Sequence, residues 1–502
     1  MSLTLVLGGV RSGKSARAEA LAAASGLPVT YVATADPAEM ADRIAAHVAR
    51  RPREWRTVQA GARLDLEGGG DCVLFDGLGV WIAGVGAPAV ADGVDALIAA
   101  AAGRPVVVVA EEAGLGLLPI DPVARTWLDT LGEAVQRLSV AADRVELVVA
   151  GRPIVLADSP GEAGALRQHG DELVGDGCAD HAVNVLAGGP PRWLRDALHA
   201  ALDQHAHAYP DEREAVAALA ELHGRDPEEI VPTNGAAQAL WLLPAALRPD
   251  LAACVHPGFT EGEAALRAHG VPVTRVLRDP DRAFALDPAA VPAAADLVLL
   301  GNPASPSGTL DPAAAVLALR RPGRTIVVDE AFMDLVPGEP ATLVRERAPD
   351  VIVIRSLTKS LSVPGLRAGY AVAAAALAER LREVRPAWSV NSLALAALAA
   401  AAQRPEALAA AAVRAGAERD DLLRGLSSIA RIRTWPAFAN FCLIEVPDGP
   451  RVADALRAGG IAVRPAGSFP GLKPSHLRLT AREPAANARL VVALEAAVAG
   501  CP

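Results

Sequence analysis

Lysine is nearly absent from this 502-residue chain, because only Lys14, Lys359 and Lys473 are lysine among its 48 lysine and arginine residues. Arginine can replace lysine wherever a surface cation is sufficient, but it cannot lose its proton to act as an amine. The scarcity therefore argues against a general surface role for lysine. It suggests that the remaining lysines mark positions where a compact ammonium group or a primary amine is required.

Cysteine, positive charge and long apolar segments are also scarce. The five cysteines are scattered without a C-x-x-C pair, which argues against a disulfide framework or a thiolate zinc site. The net charge of −10 argues against general nucleic-acid binding. The longest apolar stretch, residues 393–402, is too short to span a membrane, and the apolar run near Met1 is too short for a signal peptide. We therefore expect a cytoplasmic chain without membrane insertion.

The length favours about two to four domains, and the apolar pattern divides the chain into two α/β parts. In the first part short apolar runs alternate with helix-like segments, which predicts strands at residues 3–7, 29–33, 72–75, 106–110 and 145–149. This alternation is typical of a parallel sheet covered by helices. We expect a first domain at residues 1–156, a linker rich in Gly, Pro and acidic residues at 157–165, and a second part at 166–502.

The second part repeats the α/β pattern on a larger scale. Its strands are predicted at residues 253–256, 297–300, 325–328 and 351–354. The segment from residue 440 to residue 480 has a strand–helix–strand pattern. We expect a large α/β domain followed by a small α+β domain.

A glycine-rich loop after the first strand predicts a phosphate site. The sequence GGVRSGKS at residues 8–15 fits G-x-x-x-x-G-K-[ST], with a strand before it and a helix after it. Its backbone N–H groups can hold phosphates, Lys14 supplies a point charge, and the Ser15 hydroxyl can bind Mg²⁺. The acidic Mg²⁺ partner is expected at a strand end, with Asp76 as first choice and Glu111 or Glu112 next. The candidate nucleotide-binding residues of this loop are Gly8, Gly9, Arg11, Ser12, Gly13, Lys14 and Ser15.

The sequence after the loop resembles the adenosylcobinamide kinase / adenosylcobinamide-phosphate guanylyltransferase family. The resemblance rests on the loop and on four further segments: YVATA (31–35), RIAAHVARRPREWRTV (43–58), EAGLGLLP (112–119) and AADRVELVVAGRP (141–153). It implies a P-loop fold, ATP or GTP as substrate with Mg²⁺, phosphorylation of adenosylcobinamide, and GMP transfer from GTP through a guanylylated histidine. The first 168 residues contain a single histidine, His47, so the nucleophile falls there, and Arg51 can hold phosphate oxygens.

This first part departs from the family pattern at five positions. The family usually has Asn at Glu111, Cys and Thr at Gly77 and Gly79, and Arg and Asn at Leu128 and Val135. These departures leave an alternative open, in which the first part is a nucleotide-binding regulatory module without transfer chemistry.

A second constellation surrounds Lys359. It lies in SLTKS (356–360) after a predicted strand, and Arg367 follows in GLRAGY (365–370). In order and spacing this constellation resembles the fold type I, aminotransferase-like pyridoxal-phosphate enzymes over roughly residues 180–502. The other residues of the pattern precede it along the chain as TNGAAQ (233–238), HPGF (256–259), GNPASPSG (301–308) and Asp329.

Each position has a chemical reason under this resemblance. Lys359 must be a primary amine that bonds to the cofactor aldehyde, and Asp329 would pair with the pyridinium nitrogen. Phe259 can stack on the ring. The remaining candidates are a donor to the ring oxygen (Asn302), the phosphate-binding residues (Gly235, Ala236, Ala237, Ser356 and Arg367) and a substrate-carboxylate arginine (Arg478).

Two segments narrow the enzyme class. LRQHGDELVG (166–175) and AVNVLAGGPPRWL (182–194) look like the threonine-phosphate decarboxylases of cobalamin synthesis. Phe332 stands where the related histidinol-phosphate aminotransferases usually carry Tyr. Tyr209 resembles a residue that reaches the partner subunit's phosphate site, which implies a homodimer. The alternative is a transaminase for a phosphorylated amino acid, because sequence does not reveal which Cα bond is broken.

The two resemblances rest on different residues but point to one pathway, assembly of the cobalamin nucleotide loop. One part would make aminopropanol phosphate from threonine phosphate, and the other would act on the same linker once it is attached to the corrin. Lys14 and Lys359 each fall in one of the two motifs, while Lys473 has no assigned role and is expected at the surface.

Overall fold

A computed structural model describes residues 3–34, 52, 54–66, 70–114, 116, 119–158, 166, 170, 173–175 and 177–501. The chain divides into two compact units, an N-terminal unit at Met1–Ala163 and a C-terminal unit at Gly164–Pro502. Of the helices in these residues, none combines the length and the apolar character that crossing a membrane requires.

The N-terminal unit is a largely parallel sheet flanked by helices. Its described strands are β1 (Leu3–Gly8), β2 (Val29–Ala33), β3 (Arg56–Gln59), β4 (Cys72–Asp76), β5 (Val106–Glu111), β6 (Arg144–Val149) and β7 (Arg152–Asp158). Its described helices are α1 (Lys14–Ala24), α2 (Leu78–Gly84), α3 (Ala87–Ala101) and α4 (Pro122–Ala141).

The sheet order is β3-β2-β4-β5-β1-β6-β7, and only the pairing of β6 with β7 is antiparallel among these strands. Strand β7 was not predicted, and it extends into the first two residues of the expected linker. Both faces of the sheet are buried: Leu5 packs in the core on one face, and Val6 packs in the core on the other. Burial of both faces explains why these strands read as continuous apolar runs rather than as an alternating pattern.

The C-terminal unit contains a large mixed sheet. Its strands are β9 (Ile230–Asn234), β10 (Ala252–His256), β11 (Val273–Leu277), β12 (Leu297–Gly301), β13 (Thr325–Asp329), β14 (Val351–Ser356) and β15 (Ala368–Ala373). Their order is β11-β10-β12-β13-β14-β15-β9, with β15 antiparallel to both of its neighbours. The helices of this part are α5 (Arg192–His205), α6 (Arg213–His223), α7 (Gly235–Leu247), α8 (Glu261–Ala268), α9 (Ala313–Leu317), α10 (Ala375–Val384) and α11 (Ser392–Ala402).

A smaller α+β domain completes the C-terminal unit. Its sheet has the order β16-β17-β19-β18-β8, and β8, the first of these five strands along the chain, precedes the strands of the large sheet. The strands are β8 (Ala179–His181), β16 (Arg433–Thr434), β17 (Phe441–Glu445), β18 (Ile461–Pro465) and β19 (His476–Thr480), and the helices are α12 (Pro405–Leu426), α13 (Gly449–Ala458) and α14 (Pro484–Ala499). The predicted fold class, a parallel α/β part followed by a large α/β domain and a small α+β domain, is confirmed. The pairing of β8 with β18 was not foreseen, because the partners lie far apart in sequence.

Candidate functional site

The phosphate loop of the N-terminal unit connects β1 to α1 in a conformation that requires glycine. Gly13 has a φ of +96°, which side chains disfavour. A Cβ atom on Gly8 would lie 2.4 Å from the Ser12 Oγ and 2.8 Å from the Val148 carbonyl oxygen. The Lys14 ammonium donates to the Gly9 carbonyl oxygen at 3.2 Å. The loop therefore curls tightly at the N-terminal end of α1, which suits phosphate binding.

Asp76 lies beside the loop, as the sequence predicted for the acidic Mg²⁺ partner. The Ser15 hydroxyl donates to Asp76 Oδ1 at 3.0 Å, and the Tyr31 hydroxyl donates to Oδ2 at 2.7 Å. The Thr34 hydroxyl donates to the Asp76 carbonyl oxygen at 2.7 Å. A serine hydroxyl next to a carboxylate fits Mg²⁺, which uses one or two protein ligands together with phosphates and water. Tyr31 was missed by the sequence reading, because a tyrosine inside an apolar strand looks like core.

The two alternative acids, Glu111 and Glu112, have other contacts. Glu111 Oε2 accepts the Gly79 N–H at 2.7 Å, and the Trp127 indole N–H donates to the Gly79 carbonyl oxygen at 2.8 Å. Glu112 Oε1 accepts the Gly114 N–H at 3.0 Å. Both acids therefore help to shape the backbone near the loop, and Asp76 is the one that contacts Ser15.

The departures at Gly77, Gly79 and Glu111 fit this local structure. Gly77 has a φ of +105°, and a Cβ atom there would lie 2.6 Å from the Thr34 hydroxyl. A Cβ atom on Gly79 would lie 2.5 Å from Glu111 Oε2. The Glu111 side chain therefore fills the space that a side chain at position 79 would need. The other two departures, Leu128 and Val135, lie on α4, whereas His47 and Arg51 lie outside the described residues.

In the C-terminal unit, Asp329 ends β13 and Lys359 lies in the turn after the neighbouring parallel strand β14. The Asp329 side chain is buried, and its Oδ1 accepts the Ala331 N–H at 3.1 Å. Burial raises the pKa of Asp329 to about 6, against the opposing effects of the Ala331 hydrogen bond and the Lys359 charge. The Lys359 charge lowers the pKa of Asp329, which indicates that the two side chains lie near each other.

Four of the predicted phosphate-binding residues lie together. Gly235 begins α7 with a φ of +74°, and a Cβ atom there would lie 2.6 Å from Arg367 Nη2. A Cβ atom on Gly369 would lie 2.8 Å from the Ala236 nitrogen, and Gly369 pairs in register with Ser356. The helix start and the guanidinium thus lie next to each other, and Ser356 is on the strand paired with Gly369; a helix N-terminus, a guanidinium and a hydroxyl are groups that bind phosphate. Ala237 follows within α7.

Thr358 is a polar residue of this region that the sequence reading missed. Its hydroxyl lies 2.9 Å from the Ser356 hydroxyl, and both residues are buried. Only the turn after β14 brings the two hydroxyls together.

Asn302 and Phe259 lie near the same edge of the sheet. Asn302 is fully buried: its Nδ2 donates to the Asp311 carbonyl oxygen at 3.0 Å and its Oδ1 accepts the Asp311 N–H at 2.8 Å. This fixes the amide and leaves one of its two hydrogens for another acceptor. Phe259 and Asp329 line one narrow cavity together with Gly258 and Gly301.

Arg478 lies on β19 of the small sheet, opposite Arg464 on β18. Its guanidinium is buried, donates to the Ser305 hydroxyl at 3.2 Å, and lies 5.6 Å from the centre of the Phe441 ring. Burial, and then repulsion from Arg464, lower the pKa of Arg478 to about 9. Its Nε has no hydrogen-bond partner within the described residues. A buried guanidinium of this kind suits an anionic ligand. Arg464 was missed, because strand pairing alone places it there.

Two predicted residues lie at the surface. Tyr209 is 76% exposed, and its ring stacks on that of Trp388 with the centres 4.4 Å apart. Lys473 is exposed, as expected, and no described contact links its ammonium group to the residues around Lys359.

Both units match known families. The N-terminal unit matches the cobinamide kinase / cobinamide phosphate guanyltransferase family over residues 4–156. The C-terminal unit matches the aminotransferase class I and II family over residues 180–494. A bifunctional adenosylcobalamin biosynthesis protein of Pseudomonas aeruginosa is 40% identical over 170 residues, which cover 31% of this chain and 98% of that protein. A histidinol-phosphate aminotransferase of Mycobacterium bovis is 44% identical over 324 residues, which cover 63% of this chain and 87% of that protein.

Solved structures resemble the C-terminal unit in fold. The histidinol-phosphate aminotransferase of Clostridium acetobutylicum aligns with a TM-score of 0.61 and 22% identity, over 64% of this chain and 100% of that chain. The L-threonine-O-3-phosphate decarboxylase of Porphyromonas gingivalis aligns with a TM-score of 0.58 and 23% identity, over 63% of this chain and 98% of that chain. A histidinol-phosphate aminotransferase of Sinorhizobium meliloti, in complex with pyridoxal-5'-phosphate, aligns with a TM-score of 0.58 and 22% identity, over 64% of this chain and 91% of that chain.

We expect Asp76→Asn to weaken binding of the Mg²⁺–nucleotide complex about tenfold or more, because the carboxylate next to Ser15 is lost. Calorimetric titration with GTP, in the presence of Mg²⁺ and of a chelator, measures the effect. The control is Asp95→Asn, which removes an acid that is 66% exposed on the surface of the same unit. Equal Mg²⁺ dependence in wild type and Asp76→Asn would contradict the assignment.

We expect the cofactor-free protein to lose stability relative to Asp329→Asn as the pH rises. The folded-state pKa of Asp329 is about 6, above its ordinary value of 3.8, so the buried carboxyl must ionise unfavourably over this interval. The loss of stability begins near pH 3.8, is complete just above pH 6, and does not occur in Asp329→Asn. Melting temperatures of both proteins at pH 5 and pH 8 provide the measurement, and a difference that does not grow with pH would contradict the buried, ionisable carboxyl.

Proposed function

The chain belongs to two enzyme families, the cobinamide kinase / cobinamide phosphate guanyltransferases and the class I and II aminotransferases, and we propose that it is a bifunctional enzyme of cobalamin biosynthesis. In this proposal the N-terminal unit phosphorylates adenosylcobinamide and transfers GMP to the product. The C-terminal unit uses pyridoxal phosphate to decarboxylate L-threonine O-3-phosphate to aminopropanol phosphate. The observation that carries the proposal is a pair of candidate site residues brought together in each unit, with Ser15 at Asp76 and Lys359 near Asp329.

The N-terminal residues suit phosphoryl transfer. The loop N–H groups and Lys14 would hold the nucleotide phosphates, while Ser15 and Asp76 would hold Mg²⁺ against them. Tyr31 donates to the second Asp76 oxygen and so fixes the direction in which the carboxylate points. ATP and GTP are both open as phosphoryl donors.

Guanylyl transfer requires a nucleophile, and we assign it to His47. The imidazole would attack the α-phosphorus of GTP and release pyrophosphate, which forms a phosphorus–nitrogen bond. An oxygen of adenosylcobinamide phosphate would then attack the same phosphorus and free the histidine. Imidazole suits both steps, because it is neutral and nucleophilic near pH 7 and forms a labile bond to phosphorus. Arg51 would stabilise the phosphate oxygens.

The C-terminal residues fit pyridoxal phosphate. Gly235 at the start of α7 lies next to the Arg367 guanidinium, and Ser356 pairs in register with Gly369, so these residues form a cradle that would hold the phosphate. When bound, the cofactor withdraws electrons from the substrate Cα. Asp329 would hold a proton at the ring nitrogen. The other roles are the covalent link (Lys359), a hydrogen bond to the ring oxygen (Asn302) and stacking (Phe259).

The paired arginines support a doubly anionic substrate. Arg464 and Arg478 are neighbours across β18 and β19, both are buried, and the Arg478 Nε is unsatisfied within the described residues. Threonine phosphate carries a carboxylate and a phosphate, and two guanidinium groups suit such a ligand. Phe332 packs edge-on against Phe441. Because it is a phenylalanine, it supplies no hydroxyl at this position. The shared pathway of the two units favours decarboxylation.

Two alternatives remain. The relative that is 44% identical is named a histidinol-phosphate aminotransferase, which favours transamination of a phosphorylated amino acid or amino alcohol. For the N-terminal unit the alternative is a regulatory module that binds a nucleotide without transferring it.

We also propose a homodimer, in which the exposed Tyr209 of each subunit reaches the phosphate cradle of the other.

Incubation with threonine phosphate distinguishes decarboxylation from transamination. We expect release of CO₂ without consumption of a 2-oxo acid. Lys359→Arg is expected to abolish this release, because arginine cannot form the covalent link, and Lys14→Arg is expected to retain it. Consumption of 2-oxoglutarate with no CO₂ would favour the aminotransferase. Loss of the activity in both variants would contradict two separate sites.

Incubation with GTP labelled at the α-phosphorus tests guanylyl transfer. We expect an acid-labile, base-stable label on the wild-type protein, no label on His47→Asn, and a strongly reduced label on Lys14→Arg. Lys359→Arg serves as the control and is expected to be labelled like wild type. Nucleotide binding without any label in wild type would favour the regulatory module.

A further inference from the structure

A buried charge cluster lies behind the candidate cofactor residues. We define the Arg355 cluster as Arg355, Glu330, Asp334 and Glu339. Arg355 Nη1 lies 3.0 Å from Glu330 Oε2, and Nη2 lies 2.8 Å from Glu339 Oε1. Arg355 also donates to Asp334. The first three of these residues are almost fully buried, so the guanidinium joins two acids in the protein interior and a third, Glu339, that is partly exposed.

The cluster is built from the sequence neighbours of the site residues. Glu330 follows Asp329, and Arg355 precedes Ser356. Successive residues of a strand point to opposite faces, so Arg355 lies behind the sheet where Ser356 faces forward. The Ser360 hydroxyl donates to Asp334 Oδ2 at 3.2 Å, and Ser360 follows Lys359. A continuous chain of polar contacts therefore connects the backbone beside Asp329, Ser356 and Lys359.

The charge balance of the cluster favours a geometric role over a stabilising one. One guanidinium faces three carboxyl groups, and burial raises the pKa of Asp334 to about 6 and also raises that of Glu330. Charges buried in this way generally add little stability, and apolar side chains of similar size often stabilise as well or better. What the cluster supplies is a fixed arrangement of strand ends, because each carboxylate accepts bonds from defined directions.

We propose that the Arg355 cluster is a positioning device that fixes the separation between the Asp329 carboxylate and the Lys359 amine. Arg355 holds the backbone after Asp329 through Glu330, and it holds the turn after Lys359 through Asp334 and Ser360. None of these side chains needs to touch the substrate. The proposal rests on the proposed cofactor chemistry at Lys359, and it adds the residues that set the geometry of that chemistry.

Ser360→Ala tests the proposal, because it removes one hydroxyl and leaves the contacts of Arg355 in place. The proton affinity of the lysine-bound cofactor would depend on the separation of Asp329 and Lys359, so we expect the pH midpoint of its visible absorption band to shift by about half a unit or more. We expect kcat to fall about tenfold while KM for threonine phosphate stays near the wild-type value. Arg355→Lys keeps the charge but cannot bridge Glu330 and Asp334 at once, so we expect a larger shift.

Ser475→Ala is the matched control. The Ser475 hydroxyl also lies 3.2 Å from a carboxylate, that of Glu445, but it is in the small domain and adjoins no candidate cofactor residue. We expect it to leave the spectral midpoint and kcat unchanged. Unshifted midpoints in Ser360→Ala, or equal shifts in both serine variants, would overturn the positioning role. Absence of a visible cofactor band in the wild-type enzyme would instead contradict the proposed function itself, and the inference with it.

Discussion

Backbone hydrogen bonding between parallel strands places their carboxyl ends at one edge of a sheet, and both candidate sites depend on this constraint. In the N-terminal unit, β1 ends at the phosphate loop and β4 ends at Asp76. In the C-terminal unit, β13 ends at Asp329 and β14 leads into the turn with Lys359. Ligand sites in open α/β sheets commonly lie at this edge. The polar residues meet there although they are far apart in the chain, because β13 and β14 are neighbours in their sheet and β1 and β4 are both paired with β5.

Glycine lets other groups of the protein approach the backbone closely in both sites. Gly8 and Gly13 let the phosphate loop curl against the end of β6, and Gly235 leaves room for the Arg367 guanidinium. A side chain at Gly8 or Gly235 would fall within 3 Å of another group. Gly79 shows a related effect, because its missing side chain makes space for Glu111. The unusual residues at these two positions are therefore complementary in size.

Buried charge distinguishes the C-terminal site from the nucleotide site. Asp329, Arg478 and, within the Arg355 cluster, Arg355, Glu330 and Asp334 are buried, and burial shifts the pKa values of Asp329 and Arg478 toward neutrality. Such groups are costly unless a partner offsets the lost hydration. The cofactor and an anionic substrate are partners of the required charge. A site of this kind is arranged for its ligands, and the cluster behind it keeps the arrangement fixed.

The sequence by itself determined the fold class and the position of the phosphate loop, and it predicted roles for two lysines. Short apolar runs and glycine motifs report local geometry, and the scarcity of lysine marked Lys14 and Lys359 without any structure. Only the tertiary structure decided that Asp76, rather than Glu111, contacts Ser15, and that Arg464 faces Arg478. Those choices depend on strand order and register, which bring together residues that lie far apart in the sequence. Local patterns carry no record of such pairings, because they arise only when the sheet has formed.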